Sequence, residues 1–211
     1  MQTIKTFGVI GTGIIGAGWA ARALARGLNV LAFDPGADAQ DRLRDNLAQV
    51  WPVLERTGLF PGASVDRLRF CDSLEEVALG AQFIQESAPE RIELKTTLHA
   101  QIDAAAPADV LIASSTSGLL PSEFQSHCAH PGRVMVGHPF NPVYLLPLVE
   151  VLGGKKTSLE NIDRAVMFYK SIGMYPLKVR SEVPGFLSDR LQEALWREIL
   201  HLVNDDVATP E

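Results

Sequence analysis

The 211-residue sequence has only two cysteines, no excess of basic residues and no long apolar run. Cys71 and Cys128 lie far apart and fit neither a disulfide framework nor a metal site, so we expect no metal and a reducing compartment, the cytoplasm. His127 and His130 flank Cys128, but no second ligand cluster accompanies them. The net charge of −6 argues against nucleic acid and membrane as partners, since both bind basic patches. The apolar runs are too short to span a bilayer.

Strand-like and helix-like segments alternate along most of the chain. The pattern predicts strands at Thr6–Ile10, Asn29–Phe33, Leu68–Phe70, Phe83–Gln85, Val110–Ala113, Val134–Val136, Leu148–Leu152 and Leu177–Val179. It predicts helices at Ile14–Arg26, Asp41–Arg56, Ser73–Leu79, Ile92–Ala105, Pro121–Ser126 and Leu159–Ile172. Such alternation is typical of an α/β protein whose parallel sheet is covered by helices. Arg22 and Arg26 are predicted to form the solvated face of the first helix.

The pattern changes after Pro184-Gly185, which marks a plausible domain boundary. From Phe186 to Val203 the apolar residues recur at helical spacing. We therefore divide the chain into residues 1–183 and residues 184–211. A lone helix cannot bury its apolar face, so we expect the second segment to be the first helix of a truncated helical domain, or to pack on a partner.

A glycine motif stands between the first predicted strand and the first helix, Gly11-Thr12-Gly13-Ile14-Ile15-Gly16. In that context GxGxxG binds a dinucleotide. Gly11 permits a tight turn, Gly13 lets a pyrophosphate approach the backbone, and Gly16 lets the helix pack closely on the strand. Free N–H groups at the start of the helix face the phosphates. The motif predicts a Rossmann-type, doubly wound, mostly parallel sheet.

Asp34 follows the second strand, at the spacing expected of the acidic residue that binds ribose. A carboxylate there accepts from the ribose hydroxyls and repels a 2′-phosphate, which favours NAD over NADP. The alternative is a turn rich in glycine beside a solvated aspartate. The order of strand, glycines, helix, strand and acid favours the cofactor site.

The segment His138-Pro139-Phe140-Asn141-Pro142 follows the predicted strand Val134–Val136. A dehydrogenase needs a base for the hydroxyl proton, and histidine suits that task because its ordinary pKa lies near neutrality. Glu150 is embedded in an apolar strand, and a buried carboxylate needs a partner such as an imidazolium. From the residues alone, a structural histidine remains the alternative.

Four further segments follow the glycine motif in order, Ala113–Ser117, Gly137–Pro142, Pro147–Val151 and Pro184–Phe186. Together they resemble the 3-hydroxyacyl-CoA dehydrogenase family over essentially the whole chain. The resemblance implies that His138 is the base and Glu150 its orienting carboxylate. It implies that Ser117 holds the substrate oxygen and that Asn141 lies near the nicotinamide. It also implies three positions close to the cofactor, Glu86, Glu90 and Lys95, and a homodimer formed through C-terminal helices.

Two departures from the family pattern bear on the substrate. Asp189 stands where the family usually has asparagine, which makes the pocket more negative. Residues 38–66 contain no lysine, although members that act on coenzyme A thioesters have lysines there for its phosphates. We therefore expect a small-molecule substrate that is not a CoA thioester.

Within the family, the segments Ile84–Glu90 and Gly137–Val151 are most similar to those of members that oxidise L-carnitine, followed by members that act on L-gulonate. A trimethylammonium group suits an acidic pocket, and Phe140 and Tyr144 would offer it cation–π contacts. L-carnitine is the expected substrate. The open alternatives are L-gulonate, a 3-hydroxyacyl-CoA, and a non-catalytic NAD-binding role.

Overall fold

The computed structural model describes residues 4–210, which form one eight-stranded sheet flanked by helices. The strands are β1 Thr6–Ile10, β2 Asn29–Phe33, β3 Leu68–Phe70, β4 Phe83–Glu86, β5 Leu111–Ser114, β6 Val134–Pro139, β7 Leu148–Gly153 and β8 Tyr175–Lys178. The helices are α1 Ile14–Ala25, α2 Ala39–Thr57, α3 Leu74–Gly80, α4 Ile92–Ala105, α5 Pro121–Phe124, α6 Leu159–Ser171 and α7 Ser188–Asn204.

The strand order is β3-β2-β1-β4-β5-β6-β7-β8, and β7 runs antiparallel to β6 while the other neighbours pair in parallel. This confirms the predicted doubly wound, mostly parallel sheet. Strand β2 pairs with β1 on one side and β4 pairs with β1 on the other, so the direction in which strands are added to the sheet reverses at β1. The carboxyl ends of β1 and β4 therefore border the crevice in which folds of this type bind ligands.

Two apolar cores lie on opposite faces of the sheet. Helices α1, α2 and α6 cover one face, where the rings of Phe83 and Phe168 stack with their centroids 4.2 Å apart. Helices α3, α4 and α5 cover the other face around Val77, Ile102 and Phe124. Burying a side chain of this size contributes ~1.5–3 kcal/mol, so the two layers hold the strand ends in fixed positions.

Strand β6 extends to Pro139, so the prediction that it ends at Val136 was wrong, and His138 lies within the sheet. The added residues pair with β7, and His138 stands directly opposite Glu150. The hydrogen bonds that extend β6 come from β7, an antiparallel strand in which Glu150 lies twelve residues after His138. Local sequence patterns do not report such pairing, which explains the error.

Helix α7 differs from the other helices because, within the described residues, it buries no side chain. Leu191, Leu195 and Trp196 are 70%, 63% and 56% exposed. The predicted apolar face is therefore present, and it faces away from the rest of the chain. None of the described helices combines the length and apolarity needed to cross a membrane.

Candidate active site

The turn after β1 has the geometry of a dinucleotide cradle. Gly11 has a φ of +87°, and a Cβ there would lie 2.7 Å from the backbone of Ser87. A Cβ at Gly16 would lie 1.9 Å from the carbonyl oxygen of Gly11, so α1 packs on the turn only without a side chain. At Gly13 a Cβ would meet no described atom within 4 Å. The backbone at Gly13 is thus open to a ligand at the N-terminus of α1, which begins at Ile14.

A cleft of about 890 Å³ opens beside this turn, at the carboxyl ends of β1, β2 and β4. Apolar side chains line it, among them Phe33, Leu74 and Leu98, and Asp34 lies at its rim. One Asp34 oxygen accepts from the Thr12 amide at 2.8 Å and the other from the Gly36 amide at 2.9 Å. An apolar wall, a fixed carboxylate and a bare glycine turn fit the adenosine half of NAD.

His138 and Glu150 form a buried pair at the end of β6. Nδ1 of His138 lies 2.8 Å from Oε2 of Glu150, and the two residues are 8% and 0% exposed. An ionised carboxylate only accepts, so in the neutral imidazole the proton is on Nδ1 and the lone pair is on Nε2. This tautomer suits the removal of a proton from a hydroxyl group.

The carboxylate of Glu150 accepts further hydrogen bonds from the start of α7. Its Oε1 accepts from the amides of Leu187 and Ser188 at 3.0 and 3.1 Å, and its Oε2 accepts from the Ser188 hydroxyl at 2.6 Å. Burial raises the pKa of Glu150, but the bonds from His138, Ser188 and Leu187 outweigh it, and the net pKa lies below its usual value. Glu150 therefore stays charged beside His138. No sequence signal singled out Ser188.

The loop after β5 carries Ser117. Because β5 and β6 are parallel, this loop leaves the sheet at the same edge as the carboxyl end of β6, where His138 lies. Oε1 of Glu90 accepts from the amides of Ser117 and Gly118 at 3.1 and 3.4 Å, and from the hydroxyl of Thr116. Glu90 thus shapes the loop that carries Ser117. A direct contact between Glu90 and the cofactor stays a prediction.

Glu86 and Lys95 form an ion pair beneath this loop. Nζ of Lys95 donates to Oε1 of Glu86 at 2.7 Å and to the carbonyl of Ala88 at 3.0 Å, and both charged side chains are almost fully buried. Oε2 of Glu86 accepts from the Ser114 hydroxyl at 2.6 Å. Glu86 thus connects the end of β4 to the end of β5 through Ser114 and to α4 through Lys95. The described contacts of Lys95 are with the protein, and its contact with the cofactor stays a prediction.

Arg22 on α1 fixes the loop between β6 and β7, and its prediction as a solvated residue was wrong. It is 5% exposed and donates to the carbonyls of Val143 at 2.8 Å and of Leu146 and Gly173 at 3.3 Å. Burial, together with the charge of Arg26, lowers the pKa of Arg22 to about 10. The burial of Arg22 comes from this distant loop, although the apolar character of α1 on nearly every side made a fully solvated face doubtful.

The remaining predicted substrate residues lie on different surfaces. The Phe140 ring is 5.4 Å from the His138 ring between centroids, so it borders the base. Asn141 and Tyr144 line a cavity of about 230 Å³ between α1, α2 and the β6–β7 loop. Asp189 lines a groove along α7 with Glu193 and Trp196. The structure thus brings Phe140 to His138, and it places Asp189 in a groove of its own.

An eight-stranded sheet of this order, with a glycine turn at the start of α1 and an acid after β2, defines a Rossmann-type dinucleotide-binding domain. The sequence profile of the family "3-hydroxyacyl-CoA dehydrogenase, NAD binding domain" matches residues 6–183. The chain belongs to this family, and NAD is its cofactor.

Two relatives are L-carnitine dehydrogenases from Pseudomonas aeruginosa and Pseudomonas putida, 63% and 62% identical over 206 residues. The alignments cover 98% of this chain and 64% of each relative, so the chain spans somewhat less than two thirds of their length. Among solved structures, the NAD⁺-dependent dismutase 5-formyl-3-hydroxy-2-methylpyridine 4-carboxylic acid 5-dehydrogenase superposes with a TM-score of 0.90 at 35% identity. That superposition covers 99% of this chain and 68% of the other.

Proposed function

We propose that the protein is an NAD-dependent dehydrogenase that oxidises the 3-hydroxyl of L-carnitine to 3-dehydrocarnitine. The observation that carries the proposal is the buried pair at the end of β6, in which Nδ1 of His138 faces Glu150 and Nε2 is left to take a proton. The names of relatives 62% and 63% identical support the choice of substrate.

In this proposal each residue has a defined task. The hydroxyl of Ser117 bonds the substrate oxygen, and Nε2 of His138 takes the hydroxyl proton as the C–H bond breaks. Glu150 stabilises the imidazolium that results, and Asn141 supports the nicotinamide side of the site. The glycine turn after β1 would hold NAD by its pyrophosphate, and the nicotinamide ring would supply the hydride acceptor, so the products would be a ketone, NADH and one proton.

The open glycine turn and the cleft support NAD, but the region around α2 does not support coenzyme A. Residues 38–66 contain no lysine, and the exposed Arg42 lies 4.0 Å from Asp38. In this region a phosphate of CoA would therefore find arginines whose charge is balanced by neighbouring aspartates and glutamates, such as Arg42 beside Asp38. L-gulonate is the second candidate, because it is a 3-hydroxy acid without a CoA group.

The test is NADH formation with L-carnitine, D-carnitine, L-gulonate and 3-hydroxybutyryl-CoA, measured side by side. We expect the first to give the highest kcat/KM. A higher value for L-gulonate or for the CoA thioester would reject the carnitine assignment. No NADH with any of the four would favour a non-catalytic NAD-binding role.

The cofactor preference rests on Asp34. We expect Asp34→Ala to weaken NAD binding by roughly 10–100-fold, because hydrogen bonds to a charged group contribute ~1.5–3 kcal/mol. NADP binding should improve, because the repulsion of its 2′-phosphate is removed. Calorimetric titration with both cofactors measures this, and Asp38→Ala, at an exposed acid nearby, is the control. Equal use of NAD and NADP by the wild type would contradict the assignment.

The substrate preference rests on Phe140. A cation–π contact away from water contributes ~2 kcal/mol, which corresponds to roughly thirtyfold in affinity. We expect Phe140→Ala to raise KM for L-carnitine by up to that factor and to leave the Kd for NADH unchanged. Phe60→Ala is the matched control, because Phe60 is 48% exposed and packs on Arg26 away from His138. An equal rise in KM for L-gulonate would show that the ring supports the fold of the site and does not bind the cation.

The role of Asp189 is a second part of the substrate proposal. Its carboxylate lies in the groove along α7 and would attract a cationic tail only if that groove closes over His138. Asp189→Asn then lowers kcat/KM for L-carnitine more than for an uncharged 3-hydroxy acid. An unchanged preference would show that this groove is not part of the substrate site.

We further propose that residues 184–211 belong to a second, helical unit that pairs two copies of the protein. The exposed apolar face of α7 supports this, because contiguous exposed apolar surface marks interaction sites. Light scattering should show a homodimer, and a stable monomer would contradict the proposal.

A further inference from the structure

Within the described residues Glu150 accepts four hydrogen bonds, and three of them come from Leu187, the N-cap of α7, and Ser188, its first residue. The amides of Leu187 and Ser188 donate to Oε1 at 3.0 and 3.1 Å. The Ser188 hydroxyl donates to Oε2 at 2.6 Å, and Nδ1 of His138 donates to that same oxygen at 2.8 Å. The serine hydroxyl and the imidazole therefore share one carboxylate oxygen.

The backbone before α7 is shaped to deliver these donors. Gly185 and Phe186 both have positive φ, +73° and +48°. A non-glycine residue with positive φ is strained and persists only where its surroundings fix it. Phe186 is fully buried, with its ring 5.8 Å from the His138 ring between centroids. This turn aims two consecutive amides at Glu150.

The carboxylate also acts as the cap of α7. The residue at the N-cap position, Leu187, has no side chain that accepts a hydrogen bond, and Glu150 accepts from the first amides in its place. The positive end of a helix dipole favours a negative charge at this point. The helix and the His138–Glu150 pair are therefore coupled through one buried side chain.

We propose that Ser188 is a positioning residue for the reaction, and that the first turn of α7 orients Glu150 for His138. The inference deepens the proposed function and rests on it for its kinetic consequences. Two donors on Oε2 hold the carboxylate in one orientation, with one lone pair aimed at Nδ1. Without the hydroxyl, the carboxylate turns more freely and its charge on Oε2 is shared with one donor fewer, so it favours the imidazolium form of His138 more strongly. The segment from Gly185 to Ser188 thus acts on the base as well as linking two parts of the chain.

The kinetic test compares Ser188→Ala with Ser188→Thr, which keeps the hydroxyl. We expect Ser188→Ala to lower kcat for L-carnitine roughly tenfold, because a hydrogen bond to a charged group contributes about that factor. The acidic limb of kcat/KM should move up by about one pH unit, because the pair takes up its proton at higher pH when a donor is lost. Ser188→Thr should keep both properties near the wild type. The Kd for NADH should not change in either variant.

Two further variants separate this role from other effects. Among the described residues, His138 is the ionisable side chain that contacts Glu150. Asp189 is the next ionisable residue on α7, so Asp189→Asn measures how far its own charge moves the pH profile. Ser181→Ala, at an exposed serine before the turn, should match the wild type in kcat and in pH profile.

A second readout needs no substrate. The NMR signals of the ¹⁵N-labelled His138 ring, assigned with His138→Gln, report its protonation directly. We expect the pH midpoint of these signals to be higher in Ser188→Ala than in the wild type, and in Ser188→Thr to equal that of the wild type. Unchanged kinetics and an unchanged midpoint in Ser188→Ala would overturn the inference. If the wild type oxidises none of the four compounds, the proposed function fails, while the titration still decides the role of Ser188.

Discussion

His138→Ala is expected to lower turnover of L-carnitine by roughly 10²–10⁴-fold, the range typical for loss of a general acid or base. The loss follows from geometry, because His138 is the residue whose free nitrogen lies at the end of β6 beside Phe140. NAD binding should persist, since the glycine turn after β1 is a separate element. Steady-state kinetics together with a fluorescence titration of NADH measure the two properties.

Glu150→Gln tests the other half of the pair. The amide keeps the size of the side chain but removes the charge that stabilises the imidazolium, so turnover should also fall. His127→Ala is the control, because His127 is exposed and lies on the loop before β6. Near-normal turnover in His138→Ala would move the base to another residue.

Lys95→Ala is expected to lower the free energy of unfolding by ~3–5 kcal/mol, the cost of leaving one partner of a buried ion pair without the other. Lys95 is 1% exposed and Glu86 is 0% exposed, so the substitution leaves a buried carboxylate without its cation. For a protein of this size the melting temperature should fall by on the order of 10 °C. Chemical denaturation gives the free energy, and scanning calorimetry gives the melting temperature.

The matched control for this prediction is Lys178→Ala. Lys178 pairs with Asp163 on the surface, where the two side chains are 50% and 62% exposed, and such pairs contribute ~0.2–1 kcal/mol. The double variant Lys95→Ala with Glu86→Gln should recover part of the loss, because it removes the unpaired charge. Equal small losses for Lys95→Ala and Lys178→Ala would show that the buried pair is no more stabilising than an exposed one.

The sequence alone determined the order and type of the strands and helices and the place of the glycine turn, because each depends on near neighbours in the chain, whereas strand ends such as that of β6 did not follow from it. Alternating strands and helices predict a parallel sheet, and Gly11 to Gly16 stand where a strand meets a helix. Asp34 belongs to the same local unit. The family pattern also pointed to His138 and Glu150, but the residues themselves left a structural histidine open.

The tertiary structure decided how these residues meet. The antiparallel pairing of β6 with β7 places His138 opposite Glu150, and the strained turn before α7 brings Ser188 to the same carboxylate. Arg22 is buried because the loop from Val143 to Leu146 folds over α1. These contacts join residues 12 to 124 positions apart, whereas periodicity in a sequence reports only on neighbours within one element.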